Sequence, residues 1–98
     1  MSNFTEIIQG NKTVLIDFSA EWCQPCKMLA PILKEVKEKI GDKATIIKID
    51  IDKNQKLASA YHIQSVPTLI IFKKGEIKWR ESGVRAAQEI IDLLNQYF

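Results

Sequence analysis

The sequence predicts an α/β fold, with helices on both faces of a mixed, four-stranded central sheet. The chain has 98 residues, 46% of them hydrophobic, which suits one compact domain, so we assign residues 1–98 to a single domain. Strand-like and helix-like segments alternate along it without a repeat or a linker. A strand, a helix and a second strand come early, and this order predicts a right-handed crossover with parallel pairing.

The first half of the chain predicts two helices and two strands in alternation. Residues 4–9 indicate a short helix, and residues 13–18 form a nearly continuous apolar, branched run, typical of a strand covered on both faces. Apolar residues then recur every three or four positions over 23–40, which is the spacing of a helix. Pro31 removes a backbone donor from this helix and predicts a kink. Residues 44–51 are a second β-type run.

The second half predicts a short helix, an antiparallel hairpin and a closing helix. Residues 54–61 have an amphipathic helical pattern. Residues 68–72 and 77–80 flank the turn-like segment 73–76, which indicates a hairpin. Residues 86–97 predict the last helix. These elements together account for the mixed four-stranded sheet.

Charge and hydropathy exclude several classes of partner. The 14 basic and 12 acidic residues are interspersed, so the net charge of +2 predicts a mixed surface and no nucleic-acid binding. The longest apolar run, residues 69–72, is far shorter than the roughly 18 residues of a membrane-spanning helix. The amino end lacks the basic start and apolar stretch of a signal peptide. We therefore expect a cytoplasmic, reducing environment and no membrane partner.

Cys23 and Cys26 are the only cysteines, and their spacing predicts thiol chemistry. They lie where the first strand gives way to the long helix, so free backbone donors and the helix dipole would stabilise a thiolate at Cys23. Cys26, one turn along, would be the resolving thiol. Pro25 suits this position because a missing donor costs nothing in a first helical turn.

Three other interpretations of the pair are weaker. Chance spacing of two packed cysteines does not account for the strand-to-helix context. A closed zinc site needs four ligands, and the chain adds only the distant His62, so we predict no metal. A purely structural disulfide would close so short a loop that it removes little entropy from the unfolded chain.

Two charged residues interrupt the apolar strands. Asp17 lies in the first and Lys48 in the second, and parallel pairing would bring both under the dithiol. A buried carboxylate there would have a raised pKa and would take the proton from Cys26, with Lys48 moderating that pKa. A buried ion pair, or a strand end that faces upward, is the alternative.

Val66-Pro67-Thr68 places a proline at the start of a strand. A cis bond here would bring backbone groups beside the sulfurs to pair with an extended substrate. Bare statistics favour an ordinary trans proline, so the residues alone leave both open.

These motifs together resemble the thioredoxin family from Phe4 to Tyr97. The matching landmarks are Asp17-Phe18, Ala20-Glu21-Trp22-Cys23, Pro25-Cys26-Lys27, Pro31, Lys48, Asp50, Val66-Pro67-Thr68, Phe72, Gly75 and Gly83. A lone CxxC is weak evidence, whereas the same motif with the inner aspartate, the helix proline and the downstream proline-threonine is specific.

The resemblance implies a monomeric protein-disulfide reductase in which Pro67 is cis and Asp17 assists Cys26. It implies no bound cofactor, disulfide-containing protein substrates, and reduction by a flavin-dependent thioredoxin reductase that uses NADPH. The residues implied to contact substrate are Trp22, Gln24, Pro25, Val66, Pro67, Thr68, Gly83 and Val84. An oxidase or isomerase with the same chemistry, and a binding module that uses the groove but not the thiols, are the competing functions.

The sequence departs from the family pattern at three places. Gln24 stands where glycine is usual, and residues between the cysteines tune the reduction potential. Ser19 stands where tryptophan is frequent. The usual amino-terminal strand is not matched, so we expect a four-stranded version of the fold with one sheet edge exposed or covered differently.

Overall fold

The computed structural model describes residues 2–98 and contains four helices and four strands in the predicted order. The helices are α1 (Ser2–Gln9), α2 (Gln24–Ile40), α3 (Gln55–Ala60) and α4 (Ala87–Asn95), and the strands are β1 (Thr13–Ser19), β2 (Ala44–Asp50), β3 (Thr68–Lys73) and β4 (Glu76–Ser82). A 3-10 turn (Gly41–Lys43) follows α2. The bounds differ from the predicted ones by one or two residues, and α2 continues through Pro31.

The four strands form one mixed sheet in the order β2-β1-β3-β4. β1 pairs with β2 in parallel and with β3 antiparallel, and β3 pairs with β4 antiparallel. All seven residues of β1 are buried, because this strand has a strand on each side and helices on both faces. The predicted α/β fold with a mixed, four-stranded sheet is confirmed.

The two faces of the sheet have separate cores, since successive side chains of a strand point to opposite faces. Leu15 belongs to the cluster formed with α2 and α4, which includes Leu29 and Ile90. Phe18 belongs to the cluster formed with α1, which includes Phe4. By this alternation, Asp17 lies on the face of β1 that α2 covers.

The hairpin between β3 and β4 turns through Lys74 and Gly75. Their φ angles are 53° and 81°, so both central residues adopt the left-handed conformation of a two-residue hairpin turn. Lys73 and Glu76 pair across the turn. The hairpin predicted from the charged segment 73–76 is confirmed, and Trp79 of β4 packs against the core on the α2 side.

Gly75 gives a test of this turn. Replacing Gly75 by alanine should destabilise the fold by about 1–2 kcal/mol, because an L side chain disfavours positive φ, and the new Cβ would lie 3.3 Å from Gln9 Cγ. Equilibrium urea denaturation measures the difference. Gly10→Ala is the matched control, because a Cβ there makes only an ordinary 3.6 Å contact. A Gly75→Ala variant as stable as the wild type would contradict this interpretation.

Within residues 2–98, no helix combines the length and the hydrophobicity needed to cross a bilayer.

Candidate functional site

The two cysteines form a disulfide at the amino end of α2. Cys23 is the N-cap residue, with extended backbone angles, and Cys26 lies in the first turn. Their sulfur atoms are bonded and their Cα atoms are 5.3 Å apart. The helix therefore begins one residue later than predicted, and Cys23 lies just before it, with its sulfur facing the free amide groups of the first turn.

The backbone around Cys23 favours a negative charge on its sulfur. The Cys26 amide donates a hydrogen bond of 3.1 Å to Cys23 Sγ. In the reduced protein the same amide would face a thiolate, and the positive end of the α2 dipole acts in the same direction. Pro25 lies at the start of α2, where its missing N–H leaves no helical bond unmade.

The segment before β3 lies beside the disulfide. The Val66–Pro67 peptide bond is cis. The family resemblance implies this isomer, whereas the general frequency of proline isomers favours trans. The Val66 carbonyl oxygen lies 3.7 Å from Cys23 Sγ. The Gly83 amide donates a 2.9 Å hydrogen bond to the Pro67 carbonyl, which brings the end of β4 to the same place. Val66 also packs with both cysteines.

Two of the predicted contact residues have exposed apolar side chains. Trp22 is 69% exposed and Val84 is 37% exposed. The Trp22 Nε1–H donates a 2.8 Å hydrogen bond to Asp52 Oδ2, which holds the indole against the loop after β2. Asp52 was not among the predicted site residues, because nothing in the apolar periodicity marks an exposed aspartate in a loop. Trp22 and Val84 are therefore open to apolar contact, whereas the two cysteines are nearly buried.

The other predicted contact residues divide by exposure. Gln24 and Pro25 are exposed at the start of α2, and Gly83 is half-buried. Pro67 and Thr68 are buried. The Thr68 hydroxyl donates to the Ser65 carbonyl at 2.6 Å, and the predicted contact of Thr68 with substrate stays a prediction.

Asp17 is a buried carboxyl group on the α2 side of β1. Its side chain is 1% exposed. Within residues 2–98, its Oδ1 atom has no hydrogen-bond partner. Burial raises the pKa of Asp17 from 3.8 to about 6, and the charge of Lys48 partly opposes this rise. A carboxyl group with this pKa can accept and release a proton near neutral pH, as the sequence interpretation requires.

Lys48 lies opposite Asp17 in the parallel register of β1 and β2. The lysine is exposed, however, and no salt bridge joins the two residues within the part of the chain that the structure describes. The alternative of a buried ion pair is therefore wrong. β2 lies at the edge of the sheet, so the long lysine side chain reaches solvent.

Two further polar residues differ in their surroundings. Ser19 is fully buried at the end of β1, and its Oγ atom has no hydrogen-bond partner among residues 2–98. His62 is exposed in the turn after α3, with a φ of 53°. Among the described residues, no group of three or more His, Cys, Asp or Glu side chains is arranged to hold a metal ion.

Comparison with known proteins identifies the family. The family model described as Thioredoxin matches residues 1–96. Thioredoxin of Rickettsia prowazekii is 41% identical over 91 residues, which cover 93% of this chain and 87% of that protein. Thioredoxin of Bacillus subtilis is 44% identical over 84 residues, covering 86% and 81% of the two chains.

Solved structures agree in fold. A mutant thioredoxin from Halobacterium salinarum superposes with a TM-score of 0.89 at 38% identity, and the match covers 99% of this chain and 84% of that one. Chloroplastic thioredoxin z gives a TM-score of 0.87 at 31% identity, covering 98% and 87%. With the Cys23–Cys26 disulfide at the start of α2, these matches show that the chain belongs to the thioredoxin family of protein thiol-disulfide oxidoreductases.

Proposed function

We propose that this protein works as an electron carrier that reduces the disulfides of partner proteins, with Cys23 as the attacking thiolate and Cys26 as the resolving thiol. The observation that supports this assignment best is the 3.1 Å hydrogen bond from the Cys26 amide to Cys23 Sγ, since it stabilises charge on one sulfur specifically.

The reaction consists of two exchange steps. The Cys23 thiolate attacks one sulfur of the substrate disulfide, whose S–S bond breaks and releases the first substrate thiolate. The Cys26 sulfur then attacks Cys23 Sγ in the mixed disulfide, which releases the second substrate thiolate and forms the Cys23–Cys26 disulfide. Two electrons pass to the substrate, and the proton from Cys26 together with one proton from the solvent converts its two thiolates to a dithiol.

Asp17 acts in the second step. Cys26 is 2% exposed, so water has little access to its proton. The Asp17 carboxylate, on the face of β1 beneath α2, accepts this proton as Cys26 becomes the nucleophile. Lys48 contributes at longer range through its charge, which opposes the effect of burial on the pKa of Asp17.

Substrate proteins dock on the surface around the disulfide. An extended segment pairs with the backbone at Val66 and Pro67, where the Val66 carbonyl oxygen lies 3.7 Å from Cys23 Sγ. The exposed side chains of Trp22 and Val84 supply apolar contact at the rim, with Gln24, Pro25 and Gly83 completing the surface. Backbone pairing accommodates many sequences, which suits a reductant with several substrates.

Family membership supports a proposal for the electron supply, and the cysteine content supports one for the compartment. We propose that a flavin-dependent thioredoxin reductase returns the protein to the dithiol state at the expense of NADPH. We also propose that it acts as a monomer in a reducing compartment, the cytoplasm, since its only two cysteines are the exchanging pair.

Reduction of insulin tests the proposed activity. With a chemical dithiol as the electron supply, the wild-type protein should accelerate insulin precipitation, and Cys23→Ser should be inactive, since it lacks the nucleophile. A redox titration against glutathione separates a reductant from an oxidase, because about 30 mV corresponds to a tenfold change in the equilibrium constant of a two-electron couple. Equal insulin reduction by the wild type and Cys23→Ser would refute the proposal and favour a binding module.

A further inference from the structure

We infer that Ser82 is a positioning residue: with Ser65 and Thr68 it forms a closed ring of hydroxyl groups that holds the Val66–Pro67 segment against Cys23. Ser65 Oγ lies 3.0 Å from Ser82 Oγ, Ser82 Oγ lies 2.9 Å from Thr68 Oγ1, and Thr68 Oγ1 lies 2.6 Å from the Ser65 carbonyl oxygen. The inference rests on the proposed docking of substrate at Val66 and Pro67.

The direction of every bond in this ring is determined. The Thr68 hydroxyl has one proton and donates it to the Ser65 carbonyl, which has none to give. Ser82 must therefore donate to Thr68 Oγ1, and Ser65 must donate to Ser82 Oγ. The chain of donors therefore runs from Ser65 to Ser82 to Thr68 and ends on the Ser65 carbonyl. Each hydroxyl donates once, and those of Ser82 and Thr68 also accept once. Such aligned chains strengthen their members, because each bond polarises the next.

The ring connects the docking segment to the sheet. Thr68 is the first residue of β3 and pairs in register with Ser82, the last residue of β4. Ser65 is the residue before Val66, so the ring encloses the Val66–Pro67 peptide bond from both sides. The Gly83 amide adds a fourth bond, to the Pro67 carbonyl at 2.9 Å.

Ser82 is the member of the ring that β4 contributes. Its hydroxyl makes two of the three ring bonds, as the Thr68 hydroxyl does, whereas the Ser65 hydroxyl makes one. Ser65 and Ser82 are both exposed, so water competes for the bond between them. Removing the Ser82 hydroxyl leaves the buried Thr68 oxygen without its donor and releases Ser65. The Val66 carbonyl beside Cys23 Sγ would then be less well fixed, and backbone pairing with a protein substrate would weaken.

Rate constants of the fully reduced protein with two kinds of disulfide test this role. Ser82→Ala should lower the second-order rate constant with insulin roughly three- to tenfold, the range expected from one net hydrogen bond. The rate constant with a small aromatic disulfide should change less than about twofold, because that substrate has no backbone to pair. Ser82→Thr retains the hydroxyl and suits a strand position, so it should restore most of the insulin rate.

Two further variants make the test specific. Ser59→Ala removes an exposed serine of α3 outside the ring and should leave both rates unchanged. Ser65→Ala should have a smaller effect than Ser82→Ala, and the double variant should equal Ser82→Ala alone, because the Ser65 hydroxyl acts through Ser82.

The outcomes distinguish this inference from the proposed function. A wild-type insulin rate in Ser82→Ala, or an equal fall with both disulfides, would overturn the positioning role while leaving the activity of the wild type intact. Additive effects of Ser65→Ala and Ser82→Ala would also overturn it. Wild-type protein that fails to reduce insulin would instead remove the proposed function itself.

Discussion

Cys26→Ser is expected to stop turnover with protein disulfides and to accumulate the mixed disulfide between Cys23 and the substrate. The resolving thiol lies in the same helical turn as Cys23, with Cα atoms 5.3 Å apart, so its attack is intramolecular. Losing this proximity should slow release of the substrate by at least about a thousandfold. Non-reducing electrophoresis, with mass spectrometry of the adduct, measures the trapped species.

The matched control is a variant in which the other cysteine, Cys23, is replaced by serine. Cys23→Ser removes the nucleophile and should trap no substrate, although Cys26 is still present. Because Cys26 is 2% exposed and Cys23 is 4% exposed, burial alone does not distinguish them. The distinction comes from the amide bonded to Cys23 Sγ. Equal trapping by both variants would contradict the assignment of roles.

Asp17→Asn is expected to stabilise the fold at pH 7 while slowing substrate release. The folded chain keeps a proton on Asp17 up to a pKa of about 6, whereas the ordinary pKa of an aspartate side chain is 3.8. Folding therefore takes up a proton between these values, and stability falls as the pH rises through that window. At pH 7 the buried carboxylate lowers the free energy of unfolding by on the order of 3 kcal/mol. A neutral amide of the same shape has no such ionisation cost.

Urea denaturation at pH 3.5 and pH 7.5 measures the stability effect. The gain in Asp17→Asn should be present at the higher pH and absent at the lower one, where both states of the wild type are protonated. Release of substrate from the mixed disulfide should slow by about a hundredfold at pH 7, and its dependence on an ionisation near pH 6 should vanish. Lys48→Gln is the control for the nearby charge: it should shift the pH dependence upward without removing it.

A variant that is no more stable at pH 7.5 would show that Asp17 is not held in a desolvated state. A variant that releases substrate at the wild-type rate would show that another group takes the Cys26 proton.

The element order was predictable because each strand and helix has its own local pattern. β1 has a continuous apolar run because it is the central strand, with both of its faces covered. Turn residues delimited the β3–β4 hairpin equally well. The sequence could not show that β2 is an edge strand. For this reason Lys48 was expected to lie under the dithiol, and it is instead exposed.

The chemistry of the site was predictable where it is local and not where it is assembled by the fold. Cys23 and Cys26 are neighbours in the chain, so spacing and helix position sufficed to assign their roles. Ser65 and Ser82 are 17 residues apart, and only the register of β3 and β4 brings them together. Burial of Thr68 was missed for the same reason, because its inward orientation depends on these cross-strand contacts.

The position of β2 has a consequence for self-association. Within residues 2–98 this strand has a sheet neighbour on one side only, so its other side presents backbone groups to which a further strand could hydrogen-bond. Lys48 lies in this strand and is exposed, so its charge is in contact with water. Any strand added there would have to desolvate or displace that cation, so the side chain discourages fibril-like stacking of one molecule upon another.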